Sequence, residues 1–277
     1  MPNRKTGAAS PYKVQVLDRA LAIIDALTNM REDASLAELA EKVQLHKSTV
    51  HRLASILERH RIVERDSQTG RYRLGLRLFE LGSVAIGRFD IRDRARPHLE
   101  RLLYDVDETV HLCTLDAGEV LYLDKIEPVR SVRMASRIGR RNPVHCTSVG
   151  KAMLAFLPES EQDDILRQHG LKRLTSKTLT TPAELKADFK TIRERGYALD
   201  NEENEEGVRC IGAAILDHSG RPIAALSVSA PSFRLPVDKV PAAAEAVCRA
   251  ARALSEESGF QAGGKRDTGR KPVASAR

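Results

Sequence analysis

Lys47, Ser48, Thr49, His51, Arg52, Ser55 and Arg59 share one face of a predicted helix. Short hydroxyls and long cations of this kind hydrogen-bond base edges and phosphates, so the chemistry they suggest is recognition of a nucleic acid rather than bond making. The opposite face carries Val50, Leu53, Ile56 and Leu57 at helical spacing. Three further cations, Arg65, Arg71 and Arg73, lie on two short alternating segments, 62–65 and 71–74, which read as paired strands. Residues 66–70 join them, with Gly70 free to take a positive φ. A basic hairpin in that position is expected to lie along a phosphate backbone as a wing.

The elements that must hold this surface are legible on either side. Ser35 and Glu38 have the spacing of a capping box, and Leu36, Leu39, Ala40 and Val43 continue as an apolar helical face. Gln44, Leu45 and His46 break the pattern, leaving Leu45 to fill the gap between two helices. Residues 14–29 form an earlier helix with Leu17, Leu21, Ile24 and Leu27 on one face. Helix, turn, helix and hairpin make a winged helix-turn-helix over residues 14–75, whose second helix enters the major groove. Leu76, Leu78, Phe79, Leu81 and Gly82 begin a linker helix, expected over residues 76–90.

Charge agrees with this placement. The net charge of +7 belongs to the two tails, residues 1–13 and 261–277, because residues 14–260 sum to zero. Within that body, residues 46–77 hold eight Lys/Arg against three acids, so the positive field is concentrated on the motif. Both tails lack periodicity and read as disordered. With 42% hydrophobic residues and no apolar run near the roughly 18 residues that span a bilayer, no membrane association is expected. The first residues lack the apolar core of a signal peptide, and the four cysteines (Cys113, Cys146, Cys210, Cys248) are scattered, which fits a reducing cytoplasm.

After residue 90 the period changes. Residues 91–106 read as a helix, with Pro97 requiring an early position or a kink. Segments 110–115, 120–126 and 131–136 read as strands, and 148–157, 163–169 and 181–195 as helices, the last opened by Thr181, Pro182 and Glu184. Runs 208–216 and 222–230 read as central strands, and 237–258 as a final helix. Ser227 and Ser229 are two apart on a strand, so both hydroxyls face one side. The fold class expected is α+β, an N-terminal winged helix-turn-helix joined to a C-terminal domain, residues 91–260, with an antiparallel sheet. Gly150-Lys151 fails as a phosphate loop, because His145 and Ala152 stand where Gly and Ser/Thr are needed, and no hydrolase, zinc-protease or dinucleotide motif occurs. No catalytic residue, cofactor or metal is therefore expected. His145, Cys146, Cys210 and Asp200 lack a known ligand spacing.

The stretches KSTVHRL (47–53) and RYRLG (71–75), and further on HCTSVGKAMLA (145–155) and GVRCIGAAILDHSGRPIAALSVSAP (207–231), resemble the DNA-binding domain and the effector domain of the isocitrate lyase regulator (IclR) family of bacterial transcription factors. The resemblance implies a GAF-like domain binding a small-molecule effector, expected to be a carboxylate, and homodimers or tetramers on palindromic double-stranded operators. It also implies effector contacts at Ser148, Val149, Asp200, Cys210, Ser227 and Ser229. Asp200 reads equally as part of a solvated acidic loop with Asn201, Glu202, Glu203, Glu205 and Glu206, and Cys210 as a small buried hydrophobe. Two other functions stay open: an enzyme acting on a metabolite with an accessory DNA-binding domain, and a DNA-binding scaffold indifferent to ligand.

Overall fold

The computed structural model describes residues 14–30, 32–86, 91–131 and 133–261. The expected tails, apart from Gln261, and residues 87–90 of the expected linker helix lie outside the described residues. The chain divides into two compact units between Asp90 and Ile91.

The first unit contains α1 (Gln15–Thr28), α2 (Leu36–Val43), α3 (Lys47–Arg59), β1 (Val63–Arg65), β2 (Tyr72–Leu74) and α4 (Arg77–Ile86). The capping box forms: Glu38 N donates to Ser35 Oγ at 3.3 Å and Ser35 N to Glu38 Oε2 at 2.7 Å. Gln44 ends α2 in the left-handed region at φ 56°, and Leu45 packs against the core as expected. The hairpin pairs Val63 with Leu74 and Arg65 with Tyr72. Ala34 exchanges two backbone hydrogen bonds with Tyr72, at 2.8 and 2.7 Å, tying the segment before α2 to the wing. Asp66 Oδ1 accepts from the Gln68 and Thr69 amides, and Gly70 closes the turn at φ 68°. Ile23, Leu27, Leu39, Val50, Leu53, Val63 and Tyr72 form the core.

The predicted inner face of α1 is corrected. Ile23, Ala26 and Leu27 are buried, whereas Leu17 and Leu21 are 56% and 51% exposed. The unit's core is small, and only the second half of α1 is covered by it. Leu76, Phe79, Leu81 and Val84 around α4 are exposed as well.

The second unit contains α5 (Ile91–Val106), β3 (Thr109–Asp116), β4 (Glu119–Ile126), β5 (Arg141–Asn142), α6 (Ser148–Leu154), α7 (Glu159–His169), α8 (Pro182–Arg195), β6 (Ala198–Asn201), β7 (Val208–Leu216), β8 (Pro222–Pro231) and α9 (Val240–Glu257). The six strands form one antiparallel sheet in the order β5-β4-β3-β8-β7-β6. Alternation along each strand splits the side chains between two cores. Val110, Leu112, Ile211, Ala213, Leu226 and Val228 pack with α5 and α9, while Cys113, Tyr122, Ala198 and Ala225 pack with α6, α7 and α8. Pro97 lies inside α5. Among the described residues no helix is long and apolar enough to cross a membrane.

Several predicted boundaries move. Residues 131–136 form no strand among the described residues; Lys125 Nζ holds the Met134 and Ser136 carbonyls at 2.7 and 2.8 Å, so a side chain does what a ladder would. The two-residue β5 pairs with β4 instead. Helix α6 stops at Leu154, α7 starts at Glu159, and a 3₁₀ turn, Val237–Lys239, precedes α9. The edge strand β6 was absent from the sequence reading.

Replacing Ser35 by Ala should destabilise the first unit by about 1 kcal/mol, since it strips an orphan amide of its cap. Hydrogen exchange across residues 36–39 of the full-length protein should quicken. Unchanged exchange there would mean that tertiary packing alone holds the start of α2.

Candidate DNA interface and effector site

Helix α3 buries Val50, Leu53 and Ala54 and leaves Lys47, Ser48, His51, Arg52, Ser55 and Arg59 exposed, with Thr49 half-buried. The cations Lys47, Arg52 and Arg59 have no ion-pair partner among the described residues. Ser48 is partly committed: its Oγ lies 2.8 Å from His46 Nδ1, and its amide donates to the same nitrogen at 3.4 Å, which caps α3.

The wing arginines differ from those of α3. Arg71 Nε donates to Asp33 O at 2.6 Å and its guanidinium to Glu38 Oε2 at 3.0 Å. Arg73 pairs with Glu64 at 3.1 Å, which raises its pKa above the usual arginine value. Arg65 donates to Gly70 O and sits 5.6 Å over the Tyr72 ring. These contacts shape the wing before any DNA arrives. They are surface pairs, weak enough to exchange for phosphate.

In the second unit, strand register assembles the predicted effector residues. Asp200 pairs with Cys210, Cys210 with Ser229, and Ser229 with Thr109. One step along, Ala198, Gly212, Ser227 and His111 form a parallel row. Paired residues share a face, so both rows lie on the side covered by α6. Gly212 explains the close cover: a Cβ there would come within 2.9 Å of Val149 N and 3.0 Å of Ser148 Oγ. Ser148, Val149, Asp200, Cys210, Ser227 and Ser229 are thus gathered around one patch.

Asp200 is 2% exposed, so it is not part of a solvated loop. Its Oδ1 accepts from the Glu203 amide at 2.8 Å and the Asn204 amide at 3.3 Å. Burial, reinforced by the nearby Glu203 carboxylate, pushes its pKa up to about 7. The Cys210 thiol is pushed up by burial and by Asp200. Glu203 itself meets Lys151, which is 1% exposed: Nζ donates to both carboxylate oxygens at 2.7 and 2.8 Å and lies 2.9 Å from Asp188 Oδ2.

His111 is a member of this group that the sequence reading missed. Its Nδ1 lies 3.4 Å from both Ser227 Oγ and Ser229 Oγ, and its Nε2 lies 2.7 Å from Ser136 Oγ. Burial, with Lys125 nearby, lowers its pKa to about 3, so the ring is neutral. It meets Tyr122 edge to face at 5.0 Å. Its place within a predicted strand gave no signal for this role, because the pairing that sets it beside the serines becomes known only from the register. His145 is separately engaged with Lys172 O at 3.0 Å, and among the described residues no three His, Cys, Asp or Glu side chains are grouped as metal ligands.

Aspartates in the unfolded chain ionise near 3.8, whereas Asp200 in the fold resists ionisation until about 7. Its contribution to stability is whole below the first value and declines as pH rises through the second. Asp200→Asn keeps an oxygen for the two amides and should flatten that decline. Melting temperatures of both proteins from about pH 4 to about pH 8 test this; parallel curves would contradict it.

The model of the IclR helix-turn-helix domain matches residues 16–67, and that of the bacterial transcriptional regulator IclR C-terminal domain matches residues 83–256. The chain is 36% identical over 249 residues to the transcriptional regulator XynR of Escherichia coli K12, covering 90% of this chain and 99% of that protein. It is 34% identical over 261 residues to the transcriptional repressor AllR of the same organism, covering 93% and 96%. The crystal structure of Thermotoga maritima IclR superposes with a TM-score of 0.75 at 37% identity, covering 88% of this chain and 98% of that one. An IclR homologue from Microbacterium hydrocarbonoxydans, crystallised with 4-hydroxybenzoate, gives 0.76 at 28% identity, covering 87% and 98%. A helix-turn-helix matched over residues 16–67 and followed by an antiparallel-sheet domain matched over residues 83–256 makes this chain a member of the IclR family of DNA-binding transcriptional regulators with an effector-binding domain.

Proposed function

We propose that this regulator binds a small organic or sugar acid on the face formed by Ser148, Val149, Asp200, Cys210, Ser227 and Ser229, and that occupancy alters its hold on an operator of a catabolic operon. The observation that carries this reading is the row Asp200–Cys210–Ser229 beside Ser227 and His111, all turned to one face under α6. Hydroxyls and a neutral imidazole suit the oxygens of a hydroxylated or carboxylated ligand, and the relative from Microbacterium was crystallised with such an acid. Helix α6 has seven residues, so the polar rows and not its dipole carry the reading.

On this reading residues 14–75 bind DNA, 76–90 link and 91–260 sense, and the protein works in the cytoplasm as repressor or activator. Lys47, Ser48, Thr49, His51, Arg52 and Ser55 face the bases, while Arg59, Arg65, Arg71 and Arg73 face phosphates. Leu17 and Leu21 on α1 and Phe79 and Val84 on α4 leave exposed apolar surface for a second copy to bury, which supports a homodimer, or a tetramer of paired dimers, on a palindromic operator.

Fluorescence anisotropy on DNA upstream of the protein's own and neighbouring genes tests this. A preference over random DNA of roughly a thousandfold, shifted by one acid and no longer shifted in Ser229→Ala, is the expected result. Weak binding to all DNA that no acid alters would refute it. Arg52→Ala should cost about 1–3 kcal/mol on the operator alone, as a lost base contact does. Arg59→Ala should weaken all sequences alike and reduce the salt slope by about one phosphate. A loss confined to the operator would reassign Arg59 to base reading.

A further inference from the structure

Between Glu127 and Glu159 the sequence contains no carboxylate, yet it holds five arginines, Arg130, Arg133, Arg137, Arg140 and Arg141. The two outer ones are neutralised: Arg130 pairs with Asp107, and Arg141 with Asp116 and, at 3.8 Å, Glu119. Arg133, Arg137 and Arg140 are exposed and have no ion-pair partner among the described residues. Three guanidinium groups without ion-pair partners within eight residues concentrate positive charge on this segment, which attracts anions.

This segment, residues 133–140, is fastened to the inner polar rows. Ser136 Oγ meets His111 Nε2 at 2.7 Å, and the other nitrogen of that ring reaches Ser227 and Ser229. Lys125 Nζ holds the carbonyls of Met134 and Ser136. Gly139 N donates to Tyr122 O at 2.8 Å, and Tyr122 N donates to Arg140 O at 3.1 Å. Ser136, the neighbour of Arg137 in the chain, is therefore separated from Ser227 and Ser229 by one imidazole. The rows themselves offer little positive charge: His111 is neutral, and Lys151 is spent on Glu203.

We infer that the effector is a dianionic small acid, one end seated at Ser227 and Ser229 and the second anionic group held by Arg133, Arg137 and Arg140. This rests on the effector reading above and narrows it from acids in general to those with two charged ends a short chain apart.

Matched pairs of probes that differ by one carboxylate test the inference on the full-length protein: malate against 3-hydroxybutyrate, succinate against butyrate, and phthalate against benzoate. Isothermal titration should show at least one dianion binding more tightly than its monoanionic partner. Raising the salt from about 50 mM to about 500 mM should erode that preference, because the arginines are exposed to screening. The triple substitution Arg133→Gln, Arg137→Gln, Arg140→Gln should weaken dianion binding by about twofold to fivefold per arginine, roughly tenfold to a hundredfold together, and leave the monoanion unchanged. A monoanion that binds as tightly as its dianion, is lost in Ser229→Ala and ignores the triple substitution would overturn this inference while leaving the effector site standing. No binding by any probe, with operator binding intact, would refute both. If the triple substitution weakens DNA binding without any acid, the segment is a phosphate contact and the inference fails.

Discussion

A buried ammonium is the constraint around which the sensing unit is arranged. Lys151 projects from α6 into the protein at 1% exposure, where an uncompensated charge would be intolerable. Glu203 answers it with both oxygens, and Asp188 approaches from α8. Removing one partner of such a buried pair typically costs about 3–5 kcal/mol, because the other is stranded. The pair therefore pins the loop after β6 to α6. Thr175 and Thr178 add hydrogen bonds to the Glu202 and Glu203 carbonyls. Once that loop is pinned, the Glu203 and Asn204 amides are directed at Asp200, and the carboxyl is fixed at the end of its row.

From there the chemistry of the site follows from what burial does to each group. Desolvation keeps His111 neutral, raises Asp200 toward neutrality and holds Cys210 as a thiol. Small residues, Ala198, Gly212 and Ala225, floor the patch and admit α6. What remains is a set of hydroxyls, an imidazole and a carboxyl that can change protonation near neutral pH. Such a set orients oxygens well and attracts charge poorly. Long-range attraction has to come from outside it: Lys125, beside His111, is taken by Glu127 and two carbonyls, whereas the segment tied to His111 through Ser136 carries arginines without ion-pair partners among the described residues.

The DNA-binding unit divides its cations by the same accounting of partners. Those of α3 are uncommitted among the described residues, whereas Arg71 and Arg73 tie the hairpin to Glu38 and Asp33, and Arg73 also pairs with Glu64 across the hairpin. The wing is thus stiffened by the groups expected to touch phosphate, and any phosphate contact they make would exchange one set of ion pairs for another. The helix makes no such exchange. Discrimination between sequences is therefore expected to reside in α3, and general affinity to be shared with the wing.

Local rules made much of this legible. The Ser35–Glu38 cap, the Gly70 turn and the shared face of Ser227 and Ser229 each depend on residues within a few positions, and each stands as read. Partners distant in sequence were not legible. Leu17 and Leu21 have the spacing of a buried face, but periodicity cannot reveal that the core ends before reaching them. Residues 131–136 alternate like a strand, yet Lys125 takes the carbonyls that a neighbouring strand would need. His111 looked like one polar residue in an apolar strand until the register set it opposite Ser227. Asp200 stood among acids that argued for solvent, and only the buried lysine behind Glu203 turns that loop inward. A polar patch built across four strands is specified by register, and register becomes visible only when the strands are paired.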